Sequence, residues 1–312
     1  MGGPVVVELG EGRLLLDLGF RDHEGLVGAY LLPRPEGYAL VETGPTSCHA
    51  ALLTGLDRAG VERAQVTEVF VTHIHLDHAG GVGALATALP RATFYAHESG
   101  VRHLVDPSRL SESARRAWGP ASDRLWGAVV PIAADRIRAV VGGERWPLAQ
   151  GELVVVPTPG HAKHHVSFVD TGTRSILAGD SAGVWVEGLA RPRPAIPPPD
   201  LDLEALYASL DRMVEAQPER ILFTHFGPAP GAVDTLVEYR RTVESWSRVG
   251  LEAALESPTV EHVAARLEAF EADAAARSGR PAPAEDRGGL VSGYDLAAQG
   301  LLRYFRTHGR IG

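Results

Sequence analysis

The segment Thr72-His73-Ile74-His75-Leu76-Asp77-His78 sets the tightest limit on how this chain can fold. Four metal-binding side chains fall within the six positions from His73 to His78, directly after the short apolar run Thr67–Thr72. That run reads as a strand of the fully buried kind. The residues from Asp77 to Leu89 read as a helix with an acid near its N-terminus, where the helix dipole favours negative charge. Side chains two apart on an extended backbone point the same way, so His73 and His75 can address one cation. Where the chain turns into the helix, Asp77 and His78 are redirected and can address a neighbouring one. Burying imidazoles this densely with no partner would be costly, which weighs against a merely packed cluster.

Three later segments share the design of a strand that ends in a ligand-type residue: Val155–His161, Ile176–Asp180 and Ile221–His225. In the first, Gly160 permits a tight turn that aims His161 back at the strand ends. In the second, the two oxygens of Asp180 can reach two cations at once. Each segment is a weak signal alone; with the first motif they supply seven imidazole and carboxylate ligands. The single cysteine, Cys48, excludes a disulfide framework and a thiolate site. It reads as a small apolar packing residue. The nitrogen and oxygen inventory suits zinc, iron, manganese or nickel.

The rest of the chain reads as an α/β protein. Strands are expected at Val5–Leu9, Arg13–Leu18, Ala29–Leu32 and Tyr38–Glu42, forming an antiparallel meander, followed by a helix over Ser47–Ala59. A strand at Ala92–Ala96, a surface helix at Asp106–Trp118 and a strand at Arg136–Val141 fill the middle. A second β series follows at Glu152–Pro157, Val166–Val169 and Ser175–Leu177. The proline-dense stretch Arg191–Asp200 is stiff and extended, either a connector or a loop that shapes a substrate pocket. Leu203–Glu215 reads as a helix and Arg220–Phe223 as a strand. Beyond Pro230 the β signal stops, and Val233–Val249, Val260–Arg277 and Ser292–Thr307 read as helices split at 250–258 and 278–289. The net charge of −9 disfavours nucleic acid as a partner. No apolar run approaches the roughly 18–20 residues that span a bilayer. Met1–Leu9 lacks a basic start followed by a long apolar core, so a cytoplasmic location is expected.

His-x-His-x-Asp-His at 73–78, followed by His161, Asp180 and His225, resembles the metallo-β-lactamase superfamily in motif order, spacing and strand-end placement. The resemblance covers residues 1–230. It implies a four-layer αβ/βα sandwich with its site along one edge. Residues 231–312 are then a helical C-terminal extension, a substrate cover or dimer contact. Two divalent cations are implied, zinc first, with iron or manganese as alternatives. His73, His75 and His161 would hold one, Asp77, His78 and His225 the other, and Asp180 would bridge them. Glu42-Thr43-Gly44 stands where the family often has Asp-x-Gly, and Glu42 would orient a ligand from behind. His165 is read the same way. Trp185 and the Pro192–Pro199 loop are expected to wall an apolar pocket, with Lys163, the only lysine, near its mouth. On the last helix Tyr294, Arg303, Tyr304 and Arg306 read first as a solvated face or dimer contact, and second as contacts to an anionic substrate. His97, His103 and His262 read as ordinary surface histidines.

The implied activity is hydrolysis of an ester-like bond, a thioester, lactone or ester, in a small molecule. A hydroxide held between the cations attacks, and Asp77 serves as both ligand and proton acceptor. The Gly-Cys-Gly-Arg segment that glyoxalase II and the persulfide dioxygenases carry after the bridging Asp is absent from 180–189. The tyrosine that lactonases place just after that Asp is absent from 181–184. The resemblance therefore points to a glyoxalase-II-like hydrolytic branch without naming its substrate. A persulfide dioxygenase-like oxidoreductase with a single iron is the alternative, because its relatives keep the same ligand residues. Neither nucleic acid nor membrane is expected as a partner, and a homodimer is allowed.

Overall fold

The computed structural model describes residues 5–277 and 286–312. Residues 1–4 of the N-terminal reading and 278–285 of the Gly/Pro-rich break lie outside the described residues.

Two mixed sheets form the centre. The first runs β1 (Val6–Gly10), β2 (Arg13–Asp17), β3 (Gly28–Pro33), β4 (Tyr38–Val41), β5 (Val66–Phe70), β6 (Thr93–His97) and β7 (Ile137–Val140) in that spatial order. The expected meander is its antiparallel part, β1 to β4; β4 to β7 are parallel. The second sheet has β8 (Arg145–Pro147), β9 (Glu152–Pro157), β10 (Val166–Asp170), β11 (Ser175–Leu177), β12 (Arg220–Phe223) and β13 (Gly227–Pro230). Only β11 and β12 pair in parallel there. Strand β8 is three residues long, too short to carry a period, and went unanticipated. So did β13, with Pro228 and Pro230; it lies at the sheet edge, where a missing N–H costs no ladder bond.

The apolar pattern explains the stacking. On β2, Leu15 faces the core between the sheets and Leu16 faces the outer core of the first sheet, as a two-residue period requires. Phe70, Phe168, Leu177 and Leu222 complete the middle core. The first sheet's outer face is covered by α1 (His49–Arg58), α2 (Leu76–Ala79), α3 (Val82–Ala88), α4 (Glu98–Val105), α5 (Ser108–Trp118) and α6 (Ser122–Trp126). The second sheet's outer face packs on α7 (Leu203–Glu215), α8 (Ala232–Glu256), α9 (Val260–Arg277) and α10 (Tyr294–Thr307). The result is the helix–sheet–sheet–helix sandwich. The buried Arg13 of β2 clasps Asp170 of β10, with Nη2 to Oδ1 at 3.0 Å, and so ties the two sheets together.

Two helices differ from expectation. Asp77–Leu89 is not one helix but α2 and α3, broken at Gly80-Gly81. These glycines lie against the turn after β4: Gly81 N–H donates to Gly44 O at 2.8 Å, and a Cβ on Gly81 would stand 3.1 Å from that oxygen. Conversely, the expected break at Gly250 is absent, and α8 continues to Glu256. Gly250 is a contact residue, since a Cβ there would lie 2.7 Å from the Leu301 side chain on α10. The β structure ends at Pro230 and α8 starts at Ala232, but α8 to α10 share one core with the second sheet. No helix among the described residues is long and apolar enough to cross a membrane.

Candidate metal centre

Strand ends bring the cluster together. Glu42 follows β4, His73 follows β5, His161 follows β9, Asp180 follows β11 and His225 follows β12. β4 and β5 are parallel, as are β11 and β12, so their carboxyl ends open on one edge, the usual place for a site in such sheets. Asp77 and His78 sit in the one-turn helix α2.

All seven expected ligands converge, in two groups. His73 Nε2, His75 Nδ1 and His161 Nε2 lie 2.9 to 3.2 Å from one another. In the second group His225 Nε2 is 3.2 Å from His78 Nε2 and 3.5 Å from Asp77 Oδ2. Asp180 stands between: Oδ1 is 3.2 Å from His78 Nε2 and 3.6 Å from His225 Nε2, while Oδ2 is 3.5 Å from His161 Nε2.

The outward ring nitrogens decide what the inward ones can do. His161 Nδ1 donates to Ala195 O at 2.8 Å, His225 Nδ1 to Leu26 O at 2.7 Å, and His78 Nδ1 to Glu42 Oε1 at 3.0 Å. Carbonyl and carboxylate oxygens only accept, so each Nδ1 carries a proton, and each ring turns a lone pair inward whenever it is neutral, as a metal ligand must be. The Thr72 hydroxyl donates to Glu42 Oε1 at 2.6 Å, which leaves its oxygen to accept from His73 Nδ1 at 3.0 Å. His73 Nε2 is then a lone pair too. With the rings neutral, facing lone pairs and carboxylates cannot satisfy one another, and Asp180 Oδ1 is buried with no hydrogen-bond partner among the described residues. Divalent cations fit this donor set.

Electrostatics point the same way. Burial, reinforced by neighbouring imidazoles, holds His73 well below its ordinary value and His75 at about 3. Burial lowers His161 as well. Burial also pulls on His78, but the Asp180, Glu42 and Asp77 carboxylates outweigh it and hold this ring well above 6.5. His225 is raised similarly, against burial, by Asp180 and Asp77. Burial would raise the Asp77 carboxyl; His78 and His225 overcome it and hold the group at about 2. The pocket of carboxylates thus draws positive charge, and a proton on His78 or His225 is what takes that place when no cation does.

Behind the cluster, Glu42 is fully buried with φ of 74°, and accepts from Thr72, His78 and Thr224 (Oγ1 at 3.2 Å). His165 Nε2 accepts from the Asp180 backbone N–H at 3.1 Å, with its Nδ1 2.8 Å from Thr158 Oγ1. Gly179, at φ of 52°, has no alternative: a Cβ would stand 2.6 Å from His165 Nε2 and 2.7 Å from Thr72 Oγ1. Thr72, Thr224 and the carbonyls of Leu26 and Ala195 were not anticipated. A backbone carbonyl leaves no trace in residue identity, and the two threonines stand beside His73 and His225 like any strand-end residue. His164, which follows His161 at turn spacing, also stands close: its ring centroid lies 5.8 Å from that of His75, and its Nδ1 is buried with no hydrogen-bond partner among the described residues.

A cavity of about 520 Å3 opens over His75, Asp77, His161 and Asp180. Pro197, Pro198 and Pro199 line it, which makes the proline stretch a wall. Trp185 lies outside this lining and stacks on Phe223 at 6.1 Å; Trp118 and Trp126 stand in the wall instead. Of the four last-helix residues only Arg303 reaches the cavity. Tyr304 donates to Glu204, Arg306 to Pro258 O, and Tyr294 lies under Arg193. Lys163 is exposed and pairs with Asp200 at 3.2 Å. Cys48 packs in the outer core, and burial pushes its thiol up to about 11.

The family model of the metallo-beta-lactamase superfamily matches residues 4–225. The metallo-beta-lactamase fold-containing protein ST1585 of Sulfurisphaera tokodaii is 30% identical over 168 residues, 51% of this chain and 60% of that protein. YobT of Bacillus subtilis is 25% identical over 52% of this chain and 66% of its own length. The chain thus matches less than two thirds of either curated relative. Among solved structures, the metallo-beta-lactamase family protein TTHA1429 of Thermus thermophilus superposes with a TM-score of 0.71, covering 97% of this chain and 95% of that one. Its 23% identity supports likeness of fold alone.

Proposed function

The chain belongs to the metallo-β-lactamase superfamily, and from that premise we propose that it is a metal-dependent hydrolase that cleaves a thioester, lactone or ester of a small molecule. The observation that carries the reading is the orphaned, buried Asp180 Oδ1 among inward-facing imidazole lone pairs. In this reading His73, His75 and His161 would hold one divalent cation and Asp77, His78 and His225 a second, with Asp180 able to serve either group; zinc suits the set best. Bound there, such cations act as Lewis acids and lower the pKa of water to near neutrality.

The chain's own residues do the rest. Glu42, Ala195 O and Leu26 O fix the tautomers of His78, His161 and His225. Asp77 Oδ2, at the floor of the cavity, stands ready to take the proton of the attacking water. Water's oxygen joins the carbonyl carbon, the acyl C–O or C–S bond breaks, and the alcohol or thiol leaves with the proton. A small-molecule substrate and a cytoplasmic location belong to the same reading, and the net charge of −9 supports the absence of a nucleic-acid partner.

The test is a panel of thioesters, lactones, aryl esters and phosphoesters, run beside metal quantification. Turnover of a carboxylic ester class that is lost on chelation and restored by zinc is expected. One iron per chain with sulfite released from glutathione persulfide would overturn it. Glu42→Gln should weaken metal affinity by about 10- to 100-fold, the usual cost of losing a carboxylate behind a histidine ligand. Competition against a chromophoric chelator reads this directly, and an unchanged affinity would separate Glu42 from the site.

A further inference from the structure

Above the cluster the cavity is mainly carbon. Three distant parts of the chain supply its walls: Leu110, Trp118 and Trp126 from α5 and α6, Pro198 from the proline stretch, and Leu290 and Leu296 from the C-terminal extension. Arg116, Arg303, Ser113 and Ser292 are the polar exceptions beyond the ligand residues themselves. The aromatic part is ordered. Phe20 stacks on Trp126 at 5.6 Å, Trp126 meets Trp118 edge-on at 5.6 Å, and Trp118 is still 39% exposed. An apolar wall left open to water beside a polar, charged floor matches a molecule that is reactive at one end and apolar along its body.

We propose that this cavity takes the acyl chain of the substrate, so that the enzyme prefers esters or thioesters of carboxylic acids with a medium-length apolar chain. The carbonyl lies at the histidine and aspartate cluster, and the chain runs against Trp118, Trp126 and Leu296. This deepens the hydrolase reading and rests on it. The helical extension is then part of substrate selection, since Leu290, Leu296 and Arg303 all belong to it.

Two measurements on the metal-loaded protein test the proposal. The first is kcat/KM for matched acetyl, butanoyl, hexanoyl and octanoyl esters and thioesters. It should rise by about fourfold per added methylene, the fold-change of 0.8 kcal/mol per buried CH2. Trp118→Ala and Leu296→Arg should each compress the octanoyl-to-acetyl ratio at least tenfold; Trp118 is exposed enough that its variant keeps the test open if the second misfolds. The second measurement is quenching of tryptophan fluorescence by decanoate, which should saturate and weaken in Leu296→Arg. Turnover that is flat in chain length, or a ratio unchanged in both variants, overturns the chain-binding proposal and leaves the hydrolase standing. No turnover of any ester or thioester, with saturable decanoate binding that Leu296→Arg weakens, keeps the cavity's ligand class and removes the hydrolase. No turnover and no binding removes both.

Discussion

Asp180→Ala should leave a folded protein that holds less than its full metal and turns over the substrate found in the hydrolase panel roughly 10³-fold more slowly, the loss of about 4 kcal/mol of transition-state stabilisation. The magnitude follows from position. Among the described residues Asp180 is the one side chain whose two oxygens face both histidine groups, at 3.2 Å from His78 Nε2 and 3.5 Å from His161 Nε2. Removing it takes away a negative charge that both groups share and leaves crowded imidazoles without their counter-charge, His78 and His225 most of all. Asp180→Asn is the sharper companion, since it keeps the volume and the backbone N–H that His165 accepts and deletes the charge alone. Metal content by mass spectrometry and kcat on the same preparation check both. Full metal and wild-type turnover in either variant would remove Asp180 from the centre. Because groups that act as a unit are not additive, Asp77→Ala in the Asp180→Ala background should cost little more.

What could be read from sequence was whatever residue type and spacing alone encode. The convergence of the seven side chains was legible because imidazoles and carboxylates stand at strand ends, and His73, His75, Asp77 and His78 crowd into one such end. Single strands were legible from their apolar residues, Leu14-Leu15-Leu16 and Val69-Phe70-Val71 reaching cores on both sides of the first sheet, while the stacking of two sheets was expected from the family resemblance alone. What failed depended on partners distant in sequence. Gly80-Gly81 and Gly250 look alike in sequence, yet the first pair breaks a helix against the β4 turn while the second lies inside one against Leu301. Trp185, expected in the pocket wall, lies outside it because the chain leaves the site edge there, its N–H bonded to His225 O and its ring on Phe223. The cavity's aromatic wall comes from Trp118 and Trp126, far from any ligand in sequence. The proline stretch could be read as stiff, but its chemical part is a backbone oxygen, that of Ala195, whose N–H is itself met by Tyr239 OH of α8 at 3.4 Å. The extension thus reaches the metal centre through one loop.

Stripping the metal should cost the protein about 4 kcal/mol, if the cations are present at roughly a thousand times their dissociation constants. For a chain of this size that is a fall in Tm on the order of 10 °C, restored by adding zinc back. The effect should also grow as pH rises above 6.5, and the sign can be worked out. In the metal-free protein His78 and His225 are held above their unfolded values by Asp180, Asp77 and Glu42. A raised folded value contributes stability that is fully present below the unfolded pKa of roughly 6.5 and is lost as pH climbs through the folded value. His73, His75 and His161 are shifted the other way, so their contribution rises with pH only up to that same unfolded value and is flat beyond it. Above pH 6.5 the metal-free protein therefore loses the protons that stand in for its cations, whereas the loaded protein, whose imidazoles carry metal rather than protons, does not. Paired thermal melts with and without chelator, at pH 6.5, 7.5 and 8.5, should show a widening gap in Tm. The same melts on Asp180→Ala should show a gap reduced at every pH, because that variant has less metal to lose. A chelator that leaves the wild-type Tm unmoved at all three values would mean that the seven converging ligands hold no stabilising cation.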